Sequence, residues 1–252
     1  MTTPGPSDLR GRSALVIGAN GGIGAAIAHE LGAAGARLTI ASRDRGRLED
    51  LRSELVGAGY VCRAVPVDVT QDDQVAALVR IAAEDGLDVA VNNVGVAHPP
   101  APLQHLDLDV VDQVLAVTLR GVLVSMKYQL GALQDGGSLV NVVSTAGLTG
   151  APGMSAYVAA KHGVVGLTRT AALDHADRGV RVNAVAPGAI DSGPITALDE
   201  TVRNRVGASA PLGRLGLARE VAAAVTWLAS PLASFTTGAI LSVDGGKGAR
   251  GA

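Results

Sequence analysis

Short, wholly apolar runs alternate with longer stretches of helical periodicity along most of this chain. A strand that is apolar throughout has both faces covered, which is typical of a parallel sheet with helices packed on each side. Seven runs predict strands of this kind: Ser13–Ile17, Arg37–Ala41, Val61–Val65, Asp88–Val91, Ser138–Val143, Val180–Val185 and Ala239–Val243. The alternation therefore predicts an α/β fold.

Helical spacing follows six of these runs. The predicted helices are Gly22–Ala33, Arg45–Val56, Gln71–Glu84, Asp107–Leu133, Ser155–Ala176 and Arg219–Ala229. Repeated strand–helix units with right-handed crossovers build a Rossmann-type, doubly wound parallel sheet with helices on both faces. We predict a single domain over residues 1–252 with about seven strands, preceded by a flexible tail at residues 1–11.

Two irregular stretches, Ala97–Leu106 and Ala189–Arg214, each follow a predicted strand. Open α/β sheets bind ligands beyond the carboxyl ends of their strands, so both stretches are predicted to border a ligand site. Residues 189–214 are predicted to include a substrate lid, because Gly193 and Gly207 give that segment mobile ends.

Composition excludes several function classes. Apolar residues make up 48% of the 252 residues, which excludes general disorder. A net charge of −2 and an aromatic content of 2% argue against a nucleic-acid partner, which needs a basic patch or stacking side chains. Only 17% of residues are charged and 33 are glycine, so a surface of small apolar residues favours self-association.

Cys62 is the only cysteine, which excludes a disulfide within the chain and a cysteine-based zinc site. No HExxH motif or carboxylate cluster indicates a metal. No apolar run reaches the roughly 18 residues that span a membrane, and the N-terminal apolar stretch runs into glycines rather than a cleavage site. We expect a cytoplasmic protein without a metal or a membrane partner.

The first predicted strand ends in the glycine-rich turn GANGGIG at Gly18–Gly24. Glycines permit tight turning and close approach of the backbone to a pyrophosphate. The helix that follows presents free N–H groups and the positive end of its dipole to that anion. A plain tight turn is the alternative, but the position between strand and helix favours a dinucleotide site.

The second predicted strand leads into Ser42 and Arg43, with no acidic residue at its end. An acid there would bind the ribose hydroxyls of NAD and repel a 2′-phosphate. Ser42 can donate to a phosphate and Arg43 can pair with it, which favours NADP(H). NAD(H) is the alternative, because Arg43 can also be a solvated surface charge and Asp44 beside it weakens the positive field.

Tyr157 and Lys161 lie four residues apart, on one face of a predicted helix. A nearby cation lowers the pKa of a phenol from about 10, so Tyr157 is predicted to exchange a proton with a substrate oxygen. Ser144 closes the fifth strand, where its hydroxyl can bond that oxygen as it gains charge. The alternatives are a surface pair for Tyr157 and Lys161 and a local backbone cap for Ser144.

Together these motifs resemble those of the classical short-chain dehydrogenases/reductases. The matching pieces are GANGGIG at Gly18–Gly24, Asp68, NNVG at Asn92–Gly95, Ser144, YVAAK at Tyr157–Lys161, RVNAVAPG at Arg181–Gly188 and VDGG at Val243–Gly246. Each is weak alone, but their order and spacing from Ser13 to about Gly246 are specific. The resemblance implies an NAD(P)-dependent oxidoreductase that acts on CH–OH groups.

The resemblance also implies a role for each residue. Ser144 would orient the substrate, Tyr157 would be the general acid/base, and Lys161 would bind a ribose and tune Tyr157. The implied cofactor-binding residues are Gly18, Asn20, Gly22, Ile23 and Gly24 at the pyrophosphate, Ser42 and Arg43 at the 2′-position, Asp68 and Val69 at the adenine, Asn93 and Gly95 at the adenosine ribose, Tyr157 and Lys161 themselves, and Pro187, Gly188, Ile190 and Ser192 at the nicotinamide. A homotetramer or homodimer is implied, through segments around Val111–Leu130, Ser155–Ala176 and Gly238–Val243.

Thr118 departs from this pattern. It lies in VLAVTLRGV, where the family usually carries an Asn that supports a water-borne proton relay from the lysine. A threonine hydroxyl donates and accepts but is shorter, or it bonds back to a carbonyl one turn earlier. We therefore carry Thr118 as a candidate catalytic residue in a relay that is rewired.

The substrate is predicted only as a class. The segments Val96–Leu106, Ala146–Met154 and Ala189–Ala210 are largely apolar, with His98, Met154 and Leu198 as candidate wall residues. A ketone or 3-oxoacyl-type reductase fits them. The alternatives are an NAD-dependent alcohol or sugar dehydrogenase and a non-catalytic nucleotide-binding homologue.

Three further side chains have plainer interpretations. His98 and His105 flank the apolar loop, and we favour surface-loop histidines over residues at a substrate mouth. Trp227 lies in an alanine-rich helix and is predicted to be a core residue.

Overall fold

A computed structural model describes residues 8–249 of the chain. Its strands are β1 Ser13–Ile17, β2 Arg37–Ser42, β3 Cys62–Pro66, β4 Leu87–Asn92, β5 Leu133–Val142, β6 Arg181–Pro187 and β7 Ile240–Val243. They form one sheet in the order β3-β2-β1-β4-β5-β6-β7, and every neighbouring pair is parallel. The predicted Rossmann-type fold is confirmed.

Eight α-helices accompany the sheet within the described residues. They are α1 Gly22–Ala33, α2 Arg45–Gly57, α3 Asp72–Ala82, α4 Leu108–Leu115, α5 Gly121–Ala132, α6 Ser155–Asp174, α7 Glu200–Ala208 and α8 Ala218–Ala229. One apolar cluster joins α1, α2 and α8 to one face of the sheet, and a second joins α3, α5 and α6 to the other. Burial on both faces explains why the strands are apolar throughout.

The long helix predicted over Asp107–Leu133 differs from the structure. Its two halves, α4 and α5, are joined by a π-helical turn over Ala116–Arg120. Such a turn holds more residues than an α-turn, and the 3.6-residue repeat used for the prediction does not detect it. The turn matters for the site because it carries Thr118.

The stretch predicted as irregular over Ala189–Arg214 contains α7. The carboxylate of Asp199 caps this helix by accepting a hydrogen bond of 2.9 Å from the Val202 N–H. Among its residues only Gly207 is buried, so α7 lacks the apolar face from which a helix is predicted.

The predicted flexible tail at residues 1–11 lies outside the described residues up to residue 7. Within the remaining part, Leu9 is buried and its N–H donates to the Ala34 carbonyl at 2.8 Å, whereas Arg10 and Gly11 are exposed. The flexibility of residues 8–11 stays a prediction.

The order of strands reverses between β1 and β4, because the chain first builds outward to β3 and then returns to the other side of β1. At such a switch point the connections leave in opposite directions and open a crevice beyond the carboxyl ends of the strands. The loops that carry the predicted site residues all begin at this edge.

Asn183 ties β6 to the segment that enters β7. It is fully buried, its Nδ2 donates to the Thr236 carbonyl at 2.8 Å, and its Oδ1 accepts from the Ala239 N–H at 3.0 Å. Both backbone groups depend on this side chain for a partner, since buried polar groups otherwise carry a desolvation penalty.

We predict that Asn183→Leu lowers the free energy of unfolding by about 2–4 kcal/mol, because two buried backbone groups lose their partner. Urea unfolding followed by circular dichroism measures the change. Asn204→Leu, at an exposed asparagine on α7, is the control and is expected to change stability by less than about 0.5 kcal/mol. Equal losses in the two variants would contradict the role of Asn183.

Candidate active site

The carboxyl ends of β1, β2, β4, β5 and β6 border one cleft of about 560 Å³. Of the predicted site residues, only Gly24 and Thr118 do not line it. The predicted residues that line it are Gly18, Asn20, Gly22, Ile23, Ser42, Arg43, Asp68, Val69, Asn93, Gly95, Ser144, Tyr157, Lys161, Pro187, Gly188, Ile190 and Ser192. The structure therefore brings together residues that are up to 174 positions apart in the chain, from Gly18 to Ser192.

The glycine-rich turn is packed too closely for side chains. Gly18 has a φ of +82°, and a Cβ there would lie 2.3 Å from the Asn93 carbonyl oxygen. A Cβ on Gly24 would lie 2.1 Å from the Gly18 oxygen, which accepts a hydrogen bond of 2.9 Å from Asn93 Nδ2. Gly24 thus shapes the turn from behind. Among residues 8–249 no side chain caps α1, so its first N–H groups are available to an anion.

One end of the cleft carries opposite charges. Arg43 is exposed at its edge and Asp68 lies nearby on the loop after β3. The Asp68 carboxylate accepts hydrogen bonds from the Thr70 N–H at 3.0 Å and the Thr70 hydroxyl at 2.8 Å. These bonds, aided by the charge of Arg43, hold the pKa of Asp68 below its usual value, so it accepts hydrogen bonds as an anion.

The other end holds the candidate catalytic residues. Ser144 follows β5, and its Oγ accepts a hydrogen bond of 3.1 Å from the Ala146 N–H, so it serves as a local cap and also borders the cleft. Tyr157 and Lys161 lie one turn apart on α6, with Lys161 Nζ 5.8 Å from the centre of the Tyr157 ring. All three therefore border the same part of the cleft.

The Lys161 side chain passes beneath the cleft and is only 3% exposed. Its ammonium donates to the carbonyls of Val142 at 3.0 Å and Val94 at 3.3 Å. Burial disfavours the charged form and lowers the pKa of Lys161 to about 8. The carbonyl dipoles hold the ammonium in place.

The pKa of Tyr157 differs from the prediction. Lys161 was expected to lower it, but burial of the phenol raises it above its usual value. A hydrogen bond with Ser144 acts in the opposite direction and is the weaker influence. The prediction neglected desolvation, which disfavours the phenolate in a partly buried site.

The segment after β6 closes the cleft over the glycine-rich turn. A Cβ on Gly188 would lie 2.8 Å from the Asp244 Cα, and one on Gly22 would lie 2.8 Å from the Ser192 Cβ. Ile190 is buried and pairs with Gly216 in an isolated β-bridge. These contacts fix the chain at the point where it turns from β6 towards α7.

Comparison with known proteins agrees with this architecture. A family model described as Enoyl-(Acyl carrier protein) reductase matches residues 18–247. A cis-4-hydroxycyclohexanecarboxylate dehydrogenase from Sinomonas cyclohexanicum is 46% identical over 239 residues, which cover 93% of this chain and 96% of the relative. The chain belongs to the short-chain dehydrogenase/reductase family.

Two further matches support the assignment to the short-chain dehydrogenases/reductases. A 2,5-dichloro-2,5-cyclohexadiene-1,4-diol dehydrogenase from Sphingobium indicum is 38% identical over 253 residues, 95% of this chain and 98% of the relative. The crystal structure of levodione reductase superposes with a TM-score of 0.92 at 32% identity and covers 96% of this chain and 100% of that one. The protein is an oxidoreductase that uses NAD(P) and transfers a hydride to or from a CH–OH group.

Thr118 does not reach the cleft of this short-chain dehydrogenase. It is fully buried in the π-helical turn, where its Oγ1 accepts from the Val96 N–H at 3.0 Å and donates to the Val96 carbonyl at 3.1 Å. The hydroxyl donates its single proton to the Val96 carbonyl, so it does not donate to a backbone carbonyl one helical turn earlier. The contact holds the wall segment that follows β4.

Several lining residues were not among the individually predicted site residues, although Val96, Ala97, Gly193 and Ile195 belong to the predicted wall segments Val96–Leu106 and Ala189–Ala210. The full set is Ile17, Gly21, Val67, Val94, Val96, Ala97, Val117, Val142, Val143, Gly193 and Ile195. Most are small or apolar residues that flank a predicted position, so adjacency to a strand end was the available signal. None of the predicted wall segment Ala146–Met154 lines the cleft, and neither do Met154 and Leu198.

Two of the plainer interpretations were wrong. His98 is buried, at 5% exposed, and its Nδ1 lies 2.8 Å from the Pro99 carbonyl, so it is not a surface-loop residue. His105 is exposed as predicted. Trp227 is on the solvent side of α8, because Val221, Val225 and Leu228 form its buried face.

No group of three or more metal-ligating side chains occurs within residues 8–249. No helix in this part of the chain has the length and apolar character to cross a membrane.

The lowered pKa of Lys161 makes stability depend on pH. An unfolded lysine has a pKa of about 10.4, so between about pH 8 and pH 10 the unfolded chain binds more protons and folding becomes more favourable as pH rises. We predict that wild type gains about 2 kcal/mol over Lys161→Met across this range, measured by urea unfolding.

The difference in unfolding free energy between wild type and Lys161→Met reports the titration of Lys161. The raised pKa values of Cys62, to about 11, and of Tyr157 reduce stability as the solution becomes more alkaline, but both proteins contain these groups. Parallel curves of unfolding free energy against pH would show that Lys161 does not titrate in this range.

Proposed function

We propose that the protein oxidises secondary alcohols on six-membered carbon rings, and reduces the matching ring ketones, with NADP(H) as its cofactor. The observation that carries the proposal is the apolar lining of the cleft that holds Ser144 and Tyr157, which includes Val96, Ala97 and Ile195. An apolar wall suits a hydrocarbon ring and disfavours a sugar, whose hydroxyls would lose their partners in water. Two relatives are named for alcohols on six-carbon rings.

Ser144 after β5 and Tyr157 and Lys161 on α6 have different roles in the reaction. The bound cofactor supplies hydride chemistry at the carbinol carbon. Ser144 donates a hydrogen bond to the substrate oxygen and holds it beside Tyr157. The Tyr157 phenolate accepts the alcohol proton during oxidation and becomes the phenol, and in reduction the phenol donates this proton to the substrate oxygen and becomes the phenolate. Lys161 places a positive charge beneath the phenol, which favours the phenolate in the step where it forms.

The residues that line the cleft support the proposal of a phosphorylated dinucleotide. The absence of side chains at Gly18 and Gly24 lets the turn pack tightly against Asn93, and α1, which follows the turn, has free N–H groups that can bind a pyrophosphate. Ser42 and Arg43 line the end near Asp68, where the 2′-phosphate of NADP(H) is expected. Asp44 does not line the cleft, because its carboxylate caps α2 through the Arg47 N–H at 3.1 Å.

Three broader properties belong to the same proposal. Exposed apolar side chains, including Leu173 on α6 and Phe235 before β7, favour a homotetramer or homodimer through the predicted segments. The segment with α7 would act as the lid, tethered by an ion pair of 2.6 Å between Asp191 and Arg203. Cys62 as a single free thiol suits a cytoplasmic location.

The first prediction from this proposal concerns turnover. Wild type is expected to oxidise cyclohexanol with NADP⁺ faster than it oxidises glucose, and Tyr157→Phe is expected to lower kcat by about 10²–10⁴-fold because proton transfer is lost. Formation of NADPH is followed by its absorbance. The Kd for NADPH should stay within about threefold, since the phenyl ring still fills the same place.

The chain contains a matched control. Lys127 Nζ lies 5.2 Å above the Tyr128 ring on α5, and this second lysine–tyrosine pair does not line the cleft. Tyr128→Phe should leave kcat unchanged. Equal activity of wild type and Tyr157→Phe would remove Tyr157 from the mechanism, and faster oxidation of glucose than of cyclohexanol would refute the ring-alcohol substrate.

A separate prediction concerns the 2′-phosphate. Arg43→Ala is expected to raise the Kd for NADPH by about 10–100-fold, because a charge-assisted bond to phosphate is lost, while the Kd for NADH stays within about twofold. Fluorescence titration measures both constants. Arg45→Ala, an exposed arginine outside the cleft, should change neither. Tighter binding of NADH than NADPH by wild type would contradict the proposed cofactor.

A further inference from the structure

Four buried polar side chains lie beneath the catalytic end of the cleft. Asn92 and Asn141 face each other in register on β4 and β5, and Asn92 Nδ2 donates to Asn141 Oδ1 at 3.0 Å. Asn92 and Gln129 of α5 exchange two amide hydrogen bonds, each of 2.9 Å. All of these side chains are at most 1% exposed, so their partners come from the protein.

The fourth member is on the catalytic helix. Asn141 Nδ2 donates to Thr168 Oγ1 at 2.9 Å, and Thr168 Oγ1 donates to the Val164 carbonyl at 2.8 Å. Thr168 is seven residues, or about two turns, beyond Lys161 on α6, and both side chains belong to the buried face of that helix. The network therefore links β4, β5, α5 and α6.

Lys161 attaches α6 to the same two strands a second time. The carbonyls that hold its ammonium belong to Val142, the residue after Asn141, and to Val94, two residues after Asn92. The helix is thus fixed to β5 at two points along its length, and the Asn92–Asn141 bond sets the separation of the two strand ends. Directional bonds of this kind fix rotation and sliding of a helix, which apolar packing alone permits.

We propose that this amide network positions the catalytic lysine and tyrosine, with Thr168 and Gln129 as positioning residues that act through Asn141 and Asn92. The inference depends on the proposed function only in taking Lys161 and Tyr157 as catalytic. A misplacement of about 1 Å at a reacting group costs about 10²-fold in rate, so small shifts of α6 are expected to be visible in turnover.

The test compares two substitutions at Thr168. Thr168→Val keeps the shape but loses the hydroxyl, which leaves Asn141 Nδ2 with only the Met126 sulfur, at 3.4 Å. We expect kcat/KM to fall about tenfold and the pH midpoint of kcat/KM to move by about half a unit, since a shift of α6 changes the burial that sets the pKa values of Lys161 and Tyr157. Thr168→Ser restores the hydroxyl and is expected to stay within about twofold of wild type.

A matched control separates positioning from stability. Ser138 is buried on β5 and donates to the Leu228 carbonyl at 3.0 Å, away from the carbonyls that hold Lys161. Ser138→Ala is expected to lower Tm by about 2–4 °C, as Thr168→Val does, but to leave kcat/KM and its pH midpoint unchanged. Equal effects of both variants on kcat/KM, or an unchanged midpoint in Thr168→Val, would overturn the proposal.

A substrate-free measurement keeps this test independent of the ring-alcohol proposal. The Kd for NADPH, measured by fluorescence, is expected to rise about tenfold in Thr168→Val and to stay at the wild-type value in Ser138→Ala. If wild type oxidises no ring alcohol, this comparison still decides the role of the network. Should Thr168→Val fail to fold, Gln129→Met is the second variant and carries the same expectations.

Discussion

A lysine ammonium that is almost fully removed from water sets the requirements for its surroundings. Its hydrogen bonds are accepted by two carbonyl oxygens at the ends of neighbouring parallel strands, and the sheet must bring both of these oxygens to the ammonium. The backbone around it is correspondingly tight. A Cβ on Gly95 would lie 3.2 Å from Lys161 Nζ, and one on Gly147 would lie 3.0 Å from the Lys161 carbonyl oxygen. The glycines, the strand ends and α6 are therefore parts of one constraint, the accommodation of a buried cation.

Much of this arrangement was predictable because a parallel sheet gathers its carboxyl ends at one edge. Gly18, Arg43, Ser144 and Gly188 each follow a different strand, so assigning the strands was sufficient to bring them together. Their identity as a site came from the family resemblance, since YxxxK or a glycine turn alone is common. The geometry of the cleft then follows from the topology rather than from any single motif.

The remainder depended on contacts that periodicity does not encode. The burial of His98 is set by the fold of a proline-containing loop, and the pKa of Tyr157 by desolvation in the folded chain. The hydrogen bonds of Thr118 with Val96 join residues 22 apart and require the π-helical turn. Helix α7 is polar over most of its surface, so its stability comes from the Asp199 cap and neighbouring chain rather than from an apolar stripe.

Because of the π-helical turn over Ala116–Arg120, the relative orientation of α4 and α5 depends on the exact number of residues between them. Each residue of an α-helix advances the chain by about 100° around the axis, so removal of one residue here would restore regular winding and rotate α4 against α5 by about that angle. The Thr118 hydroxyl would then no longer face Val96 in the segment that follows β4. We therefore expect insertions and deletions between α4 and α5 to be rare in homologous proteins, although surface loops tolerate them. A single extra residue here sets the rotation of α4 relative to α5 about the helix axis.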